Sequence, residues 1–163
     1  MAGYGTDQGL ADYLAALGLT LPDGAPSAAI LRQIGSDYVD GAYEPRLQCS
    51  SRAGGFDQER AWPRTGHAVN GQAVPDDLIP TTWINASYRA AYLQAVKPGW
   101  ATGGRDPNRI TKREKVEGIE REFFAGGEAT AGNAAPGFNV DPLIDGMVSG
   151  WLCASRSVGF VVV

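Results

Sequence analysis

"PTTWINASYRAAYLQAVKPG", residues 80–99, is the stretch on which the fold turns. Thr81 stands where a cap belongs, alanines dominate the interior, and Pro98 with Gly99 stops the helix. Trp83, Ile84, Ala86, Tyr88, Ala91, Tyr92 and Val96 spread over more than one face. A helix apolar around so much of its girth must be covered on several sides, which predicts the central helix of a bundle.

Three more helices fall around it. In "TDQGLADYLAALGLTLP", Thr6 is a candidate cap, Asp7 sits in the first turn, and Leu10, Tyr13, Leu14 and Leu17 share a face. Gly18 then stops the helix as a left-handed residue and Pro22 blocks a restart. From Ser27 to about Ala42, Ile30, Leu31, Ile34, Tyr38 and Ala42 recur at helical spacing, with Gly35 and Gly41 as weak points. Near the end, Asp141 caps, Pro142 takes the first helical position, and Leu143, Ile144, Met147, Val148 and Trp151 form the expected buried stripe.

Between these helices the pattern changes. Residues 44–79 hold no period and are broken by Gly54, Gly55, Pro63, Gly66, Gly71 and Pro75, which predicts an irregular extended arm. "RITKREKVEGIEREFF", residues 109–124, read with period two, bends at Gly118 into a hairpin carrying Lys112, Arg113 and Lys115 against Glu120 and Glu122; a charged surface helix is the competing reading. Residues 125–140, rich in Gly and Ala, read as a flexible linker. The fold class expected is therefore mainly α: a small bundle of about four helices with a β-hairpin, an extended arm and a C-terminal tail. Its parts are a helical domain over residues 1–124, the linker, a helix over 141–153, and an apolar tail over 154–163.

Composition narrows the function. Fourteen basic against eighteen acidic residues leave a net charge of −4 and a pI near 4.9, which disfavours a protein that wraps nucleic acid by neutralising phosphates. Cys49 and Cys153 are far apart, without metal-ligand spacing, and read as reduced thiols. With no signal-peptide pattern and no apolar run long enough to span a bilayer, a cytoplasm-like compartment is expected and no membrane partner.

Chemistry is hard to find along the chain. His67 is the single histidine, in "RTGHAVNG", and reads as a loop residue with no special role. "GYGTDQG", "GGRDPNR" and "AGGEATAG" lack the preceding strand and the spacing of a phosphate cradle. Asp76 and Asp77 read as a solvated turn. "WPR", with Trp62 and Arg64, is the nearest approach to a base-stacking platform, yet a tryptophan beside proline reads first as a packing anchor. No catalytic, cofactor-binding or metal-binding residue is assigned, and no enzyme is expected.

The helix "LADYLAALG", the helix "AAILRQIGSDYVDGAYE", the stretch "DQERAWPRTG", the helix "IPTTWINASYRAAYLQA" and the segment "ITKREKVEGIEREFF" occur in one order over roughly residues 4–124. That order resembles the head-to-tail adaptor, or head-completion, proteins of tailed bacteriophages, among them relatives labelled DnaT-like single-stranded DNA-binding proteins. The resemblance implies a non-catalytic virion protein of the neck, made in the bacterial host cytoplasm. It would join a twelve-fold ring of its own copies beneath the portal and seat the next neck or tail component. Double-stranded DNA would pass through the lumen without specific binding, and an acidic lining would suit that passage.

By position, "WPR" at residues 62–64 matches the family's irregular arm and "KVEG" at residues 115–118 its hairpin bend. The chain departs from the pattern at Ala61, where a larger apolar residue is expected, and in a glycine-rich insert over residues 125–137. Ring formation would use Trp62, Arg64, Lys112, Arg113, Lys115, Glu120 and Glu122 between subunits. The closing "SRSVGFVVV" offers Val158, Phe160, Val161, Val162 and Val163 as a strand to add to the portal or a neck protein; the alternative is a strand within its own domain. A single-strand DNA-binding accessory role in replication stands as the alternative function.

Overall fold

A computed structural model describes residues 3–103, 114–116, 119–121 and 137–154. Helix α1 spans Asp7–Ala16, α2 Ala28–Tyr43, α3 Thr81–Val96 and α4 Pro142–Ser149, so the helical architecture follows the sequence pattern at coarse level. None of the helices among the described residues is long and apolar enough to cross a membrane.

The local signals at the helix ends act as expected in most places. Thr6 is extended and its hydroxyl accepts from the Gly9 amide at 2.9 Å, capping α1. The helix closes with Gly18 at φ 67°, its amide donating to Ala15 and that of Leu19 to Leu14, the two bonds of a Schellman stop. Asp141 accepts from the amides of Leu143 and Ile144, and Pro142 opens α4. Thr81 is not the cap of α3: the Pro80 carbonyl accepts from Trp83 and Ile84, and Thr81 is already helical.

Helices α2 and α3 form the centre, with α4 on α3 and α1 across both. Gly35, expected as a weak point, is where α2 meets α3. A Cβ there would lie 2.2 Å from the Ser87 carbonyl oxygen and 2.8 Å from the Ala91 amide nitrogen. The small residues Ala86, Ser87, Ala90 and Ala91 on the facing helix are buried for the same reason. Backbone cannot step aside as a flexible side chain can, so Gly35→Ala is expected to destabilise the fold by about 1–3 kcal/mol in urea unfolding, despite the roughly 1 kcal/mol that alanine gains in helix propensity.

Two apolar clusters result. One gathers Leu10, Leu14, Leu31, Tyr88 and Ala91 between α1, α2 and α3. The other joins Tyr4, Tyr43, Trp62, Trp83, Ile144 and Val148, bringing the N-terminus, α2, the arm, α3 and α4 together. Ile30 and Leu143, expected in buried stripes, are instead more than half exposed, at 53% and 56%. Each is followed by a fully buried residue, Leu31 and Ile144, so it is the helix face they occupy, and not the end of the helix, that leaves them in solvent.

The arm contains more order than its lack of period suggested. Strand β1 (Ser51–Arg52) pairs antiparallel with β2 (Arg64–Thr65), and β3 (Ala68–Val69) with β4 (Gln72–Ala73). The second pair turns on Asn70 and Gly71, both at positive φ, an Asn-Gly hairpin signal that the absence of a period had hidden. The arm packs on its own chain: Ala61 and Trp62 are buried, and the amides of Ala61 and Trp62 donate to Asp40 and to the Tyr4 hydroxyl. For these groups hydrogen-bond partners come from within the chain, whereas the ring reading had drawn them from a neighbouring subunit.

Strand β5 (Glu114–Val116) pairs antiparallel with β6 (Ile119–Arg121), the hairpin expected around Gly118. The register sets Lys115 opposite Glu120 and Glu114 opposite Arg121. Gly118 itself, Lys112, Arg113, Glu122 and the linker up to residue 136 lie outside the described residues, as do Val158, Phe160, Val161, Val162 and Val163.

Candidate functional site

The polar chemistry of the described residues concentrates where α2 meets the arm. On α2, Arg32, Ser36, Asp40 and Tyr43 are buried at spacings of three to four residues, a polar thread through an otherwise apolar face. Asp40 is its hub. One carboxylate oxygen accepts from the Tyr4 hydroxyl at 2.8 Å and the Trp83 indole at 3.1 Å, the other from the Ala61 amide at 3.2 Å and Arg60 at 3.3 Å. Burial pushes the Asp40 carboxyl above its ordinary range, and the hydrogen bonds from Tyr4, Trp83 and Ala61 oppose that shift.

One turn further on, Glu44 receives both Nε and NH2 of Arg52 at 2.6 Å, a bidentate pair that holds the Glu44 carboxyl below its usual range. Arg64 lies beneath, only 4% exposed, donating to the carbonyls of Ala61, Leu47 and Ser50, to Ser50 Oγ at 2.7 Å, and at 3.4 Å to Glu44. These residues wall an open cleft of about 590 Å³. Its acids and arginines are bonded to one another, so the cleft presents neutralised charge.

Behind the cleft, His67 is buried, with Nδ1 2.9 Å from Ser50 Oγ. Its ring meets Trp62 edge-on at 4.9 Å and stacks on Trp151 at 6.5 Å. The loop histidine without a role is thus a core residue joining the arm to the end of α4. Among the described residues no carboxylate hydrogen bond to the ring is found, and the Ser50 oxygen is already engaged by Arg64, so the Ser50–His67 pair acts as a joint. No group of three or more metal-ligating side chains occurs among the described residues.

Desolvation, and then Arg64, hold His67 below the usual imidazole value. The unfolded chain therefore takes up the proton first as pH falls below about 6.5, and the stability that neutral His67 contributes is lost through that window. Thermal melts should drop between pH 7 and pH 5 in the wild type and flatten over that range in His67→Gln. Glu44, held low, gives a further loss at more acid pH.

Cys49 and Cys153 are joined in a disulfide, which corrects the expectation of two reduced thiols. A separation of 104 residues gives no local sign of the pairing. The bond lies beside the same joint: the Cys153 amide donates to the Arg46 carbonyl, and Nδ1 of His67 is 3.9 Å from Cys49 Sγ.

Of the residues singled out from the sequence, the structure brings Trp62 and Arg64 together at this joint, with both side chains buried. Trp62 is 1% exposed, edge-on to Trp83 at 5.9 Å and to Trp151 at 5.6 Å, the packing anchor that its proline neighbour suggested. Lys115 and Glu120 are backbone register partners in the hairpin, apart from the joint in sequence. Asp40, Glu44, Arg52 and Arg60 were missed. The one signal, for Asp40 and Glu44 alone, was a polar residue every fourth position, Ser36-Asp40-Glu44, on the face of α2 that also carries Tyr43.

Comparison with known families matches residues 3–162 to a family described as "Putative DnaT-like ssDNA binding protein". No curated protein and no solved structure matches the chain. The matched description carries the DNA-binding label of the resemblance and does not name head-to-tail adaptors. With all but the outermost residues matched, the chain belongs to the DnaT-like ssDNA binding protein family.

Proposed function

We propose that the protein is a non-catalytic structural subunit of the phage neck, a ring-forming connector between the portal and the next neck or tail component. What supports the reading is the state of its arginines. Arg32 is paired with Asp7, Arg52 and Arg64 with Glu44, Arg60 with Asp37 and Asp40, and Arg89 with Asp141. A helical body built this way gives phosphates little to grip, and the net charge of −4 adds repulsion. The body is then a scaffold, and contact with other proteins falls to the charged segment 105–124 and the apolar end 154–163. In a head-to-tail ring, a hairpin with Lys115 opposite Glu120 offers both signs of charge at every contact. Mixing the full chain with portal rings and imaging in negative stain tests this: an added ring layer is expected, and bare portals contradict it.

The family description favours a second reading, single-stranded DNA binding. It would reside in the segment that holds Arg105, Arg109, Lys112, Arg113, Lys115 and Arg121, six of the fourteen basic residues. Five acids, Asp106, Glu114, Glu117, Glu120 and Glu122, are interleaved with them, leaving that stretch nearly neutral. Salt-dependent retardation of a labelled oligonucleotide, lost in Lys112→Ala/Arg113→Ala, would favour this reading over the connector.

A further inference from the structure

The described part of the C-terminus is held by two different devices. Helix α4 is packed: Ile144 and Val148 are fully buried, Tyr43 donates to Asp145, and Arg89 pairs with Asp141. Residues 150–153 are held by the packing of Trp151 and Leu152 against the core, by the Trp151 indole donating to Thr82, by the Cys153 amide donating to Arg46, and by the bond from Cys153 to Cys49 on the arm. The next described residue, Ala154, is exposed, and the apolar "VGFVVV" begins four residues after it. Cys49 is exposed and Cys153 half-buried, so small thiols can reach the bond.

We propose that the Cys49–Cys153 bond is a reversible redox latch that pins the exit point of the C-terminal segment to the arm. Reduced, residues 150–154 keep the packing of Trp151 and Leu152 and the hydrogen bonds to Thr82 and Arg46; oxidised, they are also fixed to the arm at Cys49. The latch does not depend on whether the partner is protein or DNA. It closes by exchange with glutathione disulfide. The Cys49 thiolate attacks one sulfur and expels a glutathione thiolate, and the Cys153 thiolate then attacks the Cys49 sulfur of the mixed disulfide and expels the second. Two electrons pass to glutathione disulfide, which becomes two glutathione thiols, and two thiol protons leave the cysteines. Nδ1 of His67, 3.9 Å from Cys49 Sγ, is placed to take the first proton.

Because the bond closes a long loop, opening it should lower Tm by roughly 10 °C. That change would be global and does not by itself identify a latch. The distinguishing readout is local. The full chain is equilibrated in glutathione buffers from reducing to oxidising, quenched with N-ethylmaleimide, and weighed intact; in parallel, brief trypsin treatment is scored by mass for release of residues 157–163 after Arg156.

The latch predicts one cooperative loss of two alkylations with no disulfide-linked dimer, and release after Arg156 about tenfold faster in the reduced protein. Amide exchange within α4 should stay slow in both states at a temperature well below either melt. Cys49→Ser should release the peptide at the fast rate in every buffer while keeping the far-UV spectrum of a folded chain. Two alkylations persisting under oxidising conditions, dimers linked through sulfur, or equal release rates in the two states would each overturn the proposal.

Discussion

Asp40→Ala is expected to lower stability by about 3–5 kcal/mol, the range for removing one partner of a buried charged group, and so to shift the urea midpoint by well over a molar unit at the m-values of small proteins. The size follows from what is left behind. Tyr4, Trp83 and the Ala61 amide would each lose an acceptor in the core, and Arg60, whose side chain is 13% exposed, would lose one of its two carboxylates. Asp40→Asn separates charge from shape. It keeps one oxygen for Tyr4 and Trp83 but turns an NH2 toward the Ala61 amide and Arg60, so about 1–3 kcal/mol should still be lost. If Asp40→Asn is neutral, the hub does not hold the arm to α2.

Trp62→Ala should be about as damaging, at about 3–5 kcal/mol. It empties the place where three aromatic rings, those of Trp83, Trp151 and His67, meet edge-on around one indole. The loss should be visible in near-UV circular dichroism before the helices melt, because Trp62 ties the arm to α4 and not α2 to α3. A base-stacking Trp62 gives the opposite pattern: unchanged melting, weakened oligonucleotide binding. The two outcomes are distinguishable with one variant and two measurements.

What could be read from the residues was whatever neighbouring residues specify among themselves. Thr6 with Gly9, Gly18 with Leu14 and Ala15, and Asp141 with Pro142 are signals contained in a few consecutive positions, and the structure uses each one. The hairpin in this segment followed from period two, with basic residues set against acidic ones, whereas its register, Lys115 opposite Glu120, did not. Gly35 was legible as a glycine in a helix but not as a crossing point, since its reason lies in Ser87 and Ala91, more than fifty residues away. Asp40 looked like one more polar residue of an amphipathic helix; only its partners at positions 4, 60, 61 and 83 make it a hub. The arm hid its order because two-residue strands are too short to show a period, and the disulfide because cysteines 104 residues apart carry no pattern at all.

The proposed connector role rests on one physical claim: Arg32, Arg52, Arg60, Arg64 and Arg89 are committed to carboxylates of their own chain and so give phosphates little to grip. Fluorescence anisotropy of a labelled oligo(dT) titrated with the full chain, repeated over a series of salt concentrations, tests it most directly. The connector account predicts no saturable rise and no salt dependence. Saturable binding whose log affinity falls with log salt, at about 0.7 per phosphate neutralised, would contradict it and leave single-stranded DNA as the partner.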